Sequence, residues 1–351
     1  MRIVTLLCSL ILVTSINAQT FPEKEWSYNM NASNEGWSDA NARKLYKYVI
    51  DSTKVTSMLI VHKGKIVFQY GDVTQQNYIA SCRKSVLSML YGKYVDNKKI
   101  DLTKTLKDLE VDDVGGVLPI EEKATIQDLI TSRSGIYRPA SNPGTWVKYI
   151  KKRGTVKPGT RWLYNNWDFN VAGHLFEQLS NKNIYDEITT QFSNPLQMQD
   201  WDRTKQRKVG NAKKSKYLAY AMWFSTRDLA RLGLLMLNRG KWNGKQIVSE
   251  RWISEMLKER TTPFEMQKSA PIMKRSFDLG YGYMWWLWKD TTDKKYAGAY
   301  SALGAYGQNI SVFPAIDAVV VFNTKADYGR ANNGKLTQEL PKRILEVYSP
   351  K

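Results

Sequence analysis

Tyr78-Ile79-Ala80-Ser81-Cys82-Arg83-Lys84-Ser85-Val86-Leu87-Ser88-Met89-Leu90-Tyr91-Gly92 is the stretch on which the reading of this chain turns. Small residues Ala80 and Ser81 stand at its start, and Val86, Leu87, Met89 and Leu90 recur at near-helical spacing. The spacing predicts a helix entered from a tight turn, with Gly92 as its stop. Positions i and i+3 share a helix face, so Ser81 and Lys84 point the same way. A serine hydroxyl becomes a nucleophile when a base takes its proton. A lysine one turn away can be that base if burial or neighbouring charge lowers its pKa. Backbone N–H groups at the helix start can also stabilise an oxyanion. Ser81-x-x-Lys84 occurs once in the chain. Alone, such a pair is more often surface decoration than chemistry, and the rest of the sequence has to decide.

Outward from that stretch, strand signals lie at both ends of the chain and helix signals lie between them. Ser57–His62 and Ile66–Tyr70 read as strands joined by Lys63-Gly64-Lys65 in a hairpin. Near the C-terminus, 283–288, 308–313 and 318–322 read as strands, the last two joined by Pro314-Ala315-Ile316-Asp317. Helices are expected over 41–55, 125–130, 167–179, 229–237, 249–258 and 336–348, with Pro341 near the start of the last or kinking it. Ser225-Thr226-Arg227-Asp228 reads as a capping box, Trp242-Asn243-Gly244-Lys245 as an Asn-Gly turn, and 200–216 as a long basic surface loop. This order implies an α+β fold: an antiparallel sheet built from both termini, flanked by helices, with a mostly helical region inserted.

The N-terminus reads as a targeting segment. Arg2 precedes an apolar run from Ile3 to Ile16, and Ile16-Asn17-Ala18 offers a cleavage site before Gln19. The run is too short for a spanning helix, and no later segment reads as transmembrane. We therefore expect an exported, periplasmic or secreted protein: a signal peptide over 1–18, then one domain over 19–351. Its α/β part would cover about 19–100 and 275–351, and its helical part about 101–274. Residues 19–40 read as a wrapping arm. Beyond the leader Cys82 is the one cysteine, so no intrachain disulfide is expected. Packing beside the helix start is favoured for it over a role as a reactive thiol.

The formal net charge is +19, with lysine clusters at 148–153, 205–208 and 213–216. Such charge permits attraction to an anionic envelope, although a solvated face is the favoured reading of the clusters. They lack aromatics at base-stacking spacing, which argues against nucleic acid. The two histidines, His62 in a strand and His174 in a helix, read as structural, which argues against a Ser-His-Asp enzyme. No metal-ligand cluster and no cofactor motif is expected. A second chemical element is Tyr164-Asn165-Asn166, before the helix at Trp167. A tyrosine near a lysine can relay protons, and Asn166 can hold a carbonyl or the lysine. The competing role of such an asparagine is a helix N-cap.

Together, Ser81-Cys82-Arg83-Lys84, Tyr164-Asn165-Asn166 and a glycine-bearing segment before the terminal strand pair resemble the serine β-lactamase and penicillin-binding-protein superfamily. The nearest branch is that of class C β-lactamase-like enzymes, which includes esterases, D-amino-acid peptidases and 6-aminohexanoate-oligomer hydrolases. The resemblance extends to 100–102, 128–135 and 225–231 and covers nearly the whole chain after the leader. It implies a β-lactamase/transpeptidase-like fold. It also implies that Ser81 forms an acyl-enzyme, that Lys84 and Tyr164 share the proton, and that Asn166 contacts substrate and lysine. The third motif of the family, Lys-Thr-Gly or a His/Trp variant, matches Ala305-Tyr306-Gly307. Tyr306 and Gly307 would then line the substrate site, and the backbone N–H groups of Ser81 and Gln308 would form the oxyanion hole. Ala305 departs from the pattern because it carries no cation or donor. Three functions follow. One is an exported serine hydrolase of a small or peptide-like ester or amide. Another is a β-lactamase or D,D-peptidase, and the third is a non-hydrolytic sensor or binding module on the same fold. The Ser81, Lys84 and Tyr164 set favours the enzymes over the binder, and Ala305 favours the first over the second. Substrate specificity would reside in cleft loops around 137–160 and 260–275.

Overall fold

The computed structural model describes residues 20–144, 147–271, 273, 278–289, 293–325, 327 and 336–349. The expected leader lies outside the described residues. A seven-stranded antiparallel sheet forms the centre, with spatial order Lys65–Gly71, Ser57–His62, Ala318–Asn323, Asn309–Phe313, Tyr300–Leu303, Trp286–Trp288, Leu279–Tyr281. The N-terminal hairpin turns through Lys63 and Gly64, both at positive φ (49° and 77°), the twist that a two-residue hairpin needs. Its inner strand pairs on its far side with the last strand of the chain, Ser57 opposite Asn323 and His62 opposite Ala318. All six residues of each of these two strands are buried, as expected for strands covered on both faces. The arm before the first helix is tied to the sheet edge: Ile66 N–H donates to Ser27 O and Asn29 N–H to Ile66 O.

The helices are α1 Asp39–Ser52, α2 Cys82–Asp96, α3 Ile126–Ile130, α4 Asn166–Ser180, α5 Ile184–Ile188, α6 Thr226–Leu237, α7 Glu250–Leu257, α8 Pro263–Ser269 and α9 Leu336–Glu346. α6 lies flat on the sheet at Gly233. A Cβ there would sit 2.4 Å from Val319 Cγ1 and 3.1 Å from Ile310 Cγ2. α1 and α9 pack together, with Asn41 Nδ2 donating to Glu346 O. α2 is buried nearly all round, which makes it a core helix rather than an amphipathic surface one.

Several expectations need correction. Gly92 does not end α2. The helix runs on to Asp96, and a Cβ at Gly92 would lie 2.4 Å from Trp252 Cδ1, so the glycine makes room for the indole. The expected strand over 283–288 is shorter. Leu279–Tyr281 and Trp286–Trp288 are separate strands, and between them Met284 takes φ +60°. Tyr300–Leu303 is a strand that the pattern did not reveal. Ser225 caps α6, but Asp228 does not complete a capping box. Its carboxylate accepts instead from Gln199 N–H (2.9 Å) and Asp200 N–H (3.0 Å). Pro341 lies inside α9. The 200–216 segment is not all loop, because Arg207–Val209 pairs with Ala219–Ala221.

Candidate active site

Ser81 sits at the N-cap of α2, on a turn held from two sides. Upstream, Asn77–Tyr78 pairs with Trp223–Phe224, and Ile79 N–H donates to Met222 O. At the turn itself Ala80 adopts φ +46°, a left-handed conformation that a residue with a Cβ takes only when its surroundings impose it. The half-buried Ser81 hydroxyl then stands one turn before Lys84.

Lys84 is the hub. It is 2 % exposed. Its Nζ lies 3.1 Å from Ser81 Oγ, 2.6 Å from Tyr164 OH and 2.8 Å from Asn166 Oδ1. The rings of Tyr164 and Phe169 close over it, with centroids 4.0 and 4.3 Å from Nζ. Tyr164 is clamped in turn by Trp286, whose ring stacks on it at 5.6 Å and 29°, and by Phe169 at 4.9 Å. α4 supplies Asn166 and Phe169, and its N-terminus is fixed by Asn165, which accepts from Trp167 N–H and donates to Ile136 O. Asn165 rather than Asn166 is therefore the cap. Asn166 Nδ2 donates to Pro143 O, so both ends of that amide are engaged within the protein, one of them on the lysine.

Burial pushes the Lys84 ammonium well below its usual pKa, and the neighbouring Arg83 charge adds to the effect. Burial pushes the Tyr164 phenol up. Both shifts favour the neutral forms, an amine beside a phenol, over an ammonium beside a phenolate. Cys82 is fully buried and its thiol is likewise pushed up by burial, so it packs rather than reacts. His62 is buried against the sheet, lowered to about 4 by burial and then by Lys63. His174 lies on α4 against the Tyr217 ring. Neither is among the contacts of Ser81.

Sequence reasoning named Arg83 without giving it a role. Its guanidinium is 1 % exposed, lies 4.1 Å over the Tyr220 ring and donates to Asn170 Oδ1 at 3.0 Å. Among the described residues no carboxylate stands within ion-pair distance of it, so its charge acts on Lys84 uncompensated. The buried Asp168, which accepts from Ser134 Oγ (2.8 Å), works on Lys84 in the opposite sense. Removing the Arg83 charge raises the Lys84 pKa. Activity that needs the neutral amine is present above that pKa and lost below it. Arg83→Met is therefore expected to shift the acid limb of the pH–rate profile to higher pH, and Arg83→Lys to restore it. A Met variant with a lowered rate and an unmoved limb would reduce Arg83 to a packing residue.

The third-motif segment lies directly against the turn that carries Ser81. A Cβ on Gly304 would sit 2.9 Å from Ile79 O, and the Tyr306 and Tyr78 rings are 6.2 Å apart. Gly307 holds φ +94°. The Gln308 side chain fixes this turn: Oε1 accepts from Tyr306 N–H at 3.1 Å and Nε2 donates to Thr324 O at 3.1 Å. Ser81, Lys84, Tyr164 and Asn166 are thus joined by hydrogen bonds, and Tyr306, Gly307 and Gln308 form the adjoining wall.

This arrangement defines the class. The Beta-lactamase family model matches residues 50–340, and the chain belongs to the β-lactamase family. Over 101 residues the chain is 31% identical to the 6-aminohexanoate-dimer hydrolase of Paenarthrobacter ureafaciens. The match spans 28% of this chain and 23% of that enzyme's length. Among solved structures, a family VIII carboxylesterase superposes with a TM-score of 0.62 at 13% identity, over 88% of this chain and 96% of the other. The octameric penicillin-binding protein homologue from Pyrococcus abyssi gives 0.62 at 18% identity, over 87% and 76%. These likenesses show the β-lactamase/transpeptidase-like fold.

Proposed function

We propose that the protein is an exported serine hydrolase that cleaves a small or peptide-like ester or amide through an acyl-enzyme on Ser81. The observation that carries this reading is Lys84 Nζ within hydrogen-bond reach of Ser81, Tyr164 and Asn166 at once. A neutral amine has two N–H donors and one lone pair. Asn166 Oδ1 can only accept, so it takes one N–H. Tyr164 OH takes the other, and the lone pair is left for the Ser81 hydroxyl proton.

Attack then proceeds with Lys84 as base. Ser81 Oγ bonds to the carbonyl carbon, its proton passes to Nζ, and the carbonyl oxygen becomes an oxyanion. The backbone N–H groups of Ser81 and Gln308 receive that oxyanion. The proton returns through Lys84 and the Tyr164 hydroxyl to the leaving alcohol or amine, and the tetrahedral centre collapses to the acyl-enzyme. Water repeats the sequence and releases the acid. Tyr306 and Gly307 border the substrate. The reading needs no metal or cofactor. Export is supported by the order of residues 2–18, a charge, an apolar run and a small-residue cleavage site before Gln19. The mature chain should begin at or near Gln19, and retention of Met1 to Ala18 in the exported form, read by intact mass, would count against that cleavage.

Ala305 separates the enzyme readings. In penicillin-recognising relatives the third motif gives a cation to the substrate carboxylate. A charge-assisted bond of that kind contributes roughly 1.5–3 kcal/mol. Ala305 supplies none, whereas backbone oxyanion donors survive the change. We expect a short-chain p-nitrophenyl ester to be turned over with a much higher kcat/KM than a chromogenic cephalosporin. We also expect Ala305→Lys to raise the cephalosporin value. Cephalosporin turnover matching that of a dedicated β-lactamase would favour the second reading, and an inert protein across esters, amides and D-alanyl peptides would favour the binding module.

A further inference from the structure

Two basic runs that are far apart in sequence each place one residue on the same cavity, the first an isoleucine and the second a lysine. A hollow of about 320 Å³ has Tyr164 among its lining residues, with Ala140, Ile150 and Leu163 as apolar wall and Lys214 as its exposed cation. Ile150 belongs to the basic run 148–153, and Lys214 to the run 213–216. The cavity adjoins the catalytic cluster twice, through Tyr164 and through Pro143, whose carbonyl holds Asn166.

The charges around it are unequal. Among the described residues no carboxylate lines the cavity. Its other cation, Arg138, is engaged, donating to the carbonyls of Val114 and Gly116 and facing Asp113 at 3.9 Å. Lys214 makes no ion pair among the described residues. Across Ile150 a neighbouring hollow of about 640 Å³ is lined by Lys148, Lys151, Arg161 and Lys268. The one carboxylate among its described lining residues, Glu265, pairs with Arg133 at 3.1 Å. A cleft lined by one sign of charge focuses its field and concentrates the opposite ion. A solvated lysine face would give no reason for a largely apolar hollow that has both Lys214 and Tyr164 in its lining.

We infer that this cavity is a subsite for a substrate whose reacting carbonyl is joined by a short apolar arm to an anionic group, with Lys214 as the counter-charge. The inference rests on the hydrolase reading for its placement of the carbonyl at Ser81. At about 30 Å³ per water-sized group, the hollow takes an arm of a few carbons. A carboxylate is the simplest group that fits, since Lys214 is a point charge without a bidentate fork.

Glutarate serves as a probe that needs no turnover. Calorimetric titration should show glutarate bound by the wild type and weakened by rising salt. Affinity should fall about tenfold or more in Lys214→Glu and be kept in Lys214→Arg, in keeping with a charge-assisted contact. Lys213→Glu removes a neighbouring charge that does not line the cavity and should leave binding within about twofold of wild type. Turnover gives the second readout. The acyl part stays bound through both half-reactions, so the p-nitrophenyl hemiester of glutarate is compared with p-nitrophenyl pentanoate. The hemiester should have the higher kcat/KM through a lower KM, and that ratio should collapse in Lys214→Glu. Equal glutarate binding by wild type and Lys214→Glu, or an equal loss in Lys213→Glu, would overturn the subsite. Two inert esters beside Lys214-dependent glutarate binding would keep the subsite and overturn the hydrolase reading instead.

Discussion

Ser81→Ala is expected to lower hydrolysis of an activated ester by on the order of 10⁴-fold or more, the scale found when a serine nucleophile is removed. The Oγ lost is the atom proposed to form the acyl bond, and Lys84 Nζ, 3.1 Å from it, would then have no hydroxyl proton to take. The variant should fold, because Ser81 makes no side-chain cap bond to α2. A fluorophosphonate should add mass to the wild-type peptide containing Ser81 and none to the variant. Labelling at Cys82 would show that the nucleophile had been misassigned. That outcome is disfavoured by a thiol that is fully buried and pushed away from ionisation.

Lys84→Met should cost about 10²- to 10⁴-fold in kcat, the range for a positioned acid–base group, and should leave the protein as stable as before or more so. Burying an amine away from water is unfavourable, whereas a methionine of similar length fits between the rings of Tyr164 and Phe169. Activity and stability therefore move in opposite directions, a trade-off common where a site holds polar groups in an apolar shell. Residual turnover should also lose the acid limb set by the amine. A thermal melt and a pH–rate profile test both halves. Full activity in Lys84→Met would transfer the base to Tyr164, and Tyr164→Phe would then have to be the severe variant.

The residues that meet at Lys84 were more legible than the local turns and strands around them. Ser81, Lys84 and Tyr164 stand in short, chemically unusual strings, and helical periodicity alone put the first two on one face. What eluded the sequence was set by tertiary contact. Gly92 reads as a stop because local rules cannot foresee Trp252 packing against the middle of α2. The strand Tyr300–Leu303 carries Ser301 into the interior, where it bonds Ser311 Oγ at 2.6 Å and Trp288 Nε1 at 2.8 Å. A buried polar pair satisfied by its neighbours erases the alternation that marks a strand. Arg83 looked like one more basic residue in a basic chain, and only its burial beside Lys84 makes its charge matter. The cavity at Tyr164 brings together loops whose convergence no spacing announces.

The pairing of Ser57–His62 with Ala318–Asn323 has a consequence in time. The Thr56 hydroxyl donates to the carbonyl of Asn323, 267 residues further along the chain. At about 5–20 residues per second on the ribosome, that partner emerges tens of seconds after the first hairpin. Until then one edge of an apolar strand is open, and such an edge templates pairing with other chains. The helix that Ser81 caps, made early, likewise waits for the segment around Gln308 to complete its wall. Newborn chains of this protein therefore carry their greatest aggregation hazard before the C-terminal strands exist. Truncations that stop short of Ala318 should behave as holdase clients rather than as smaller enzymes.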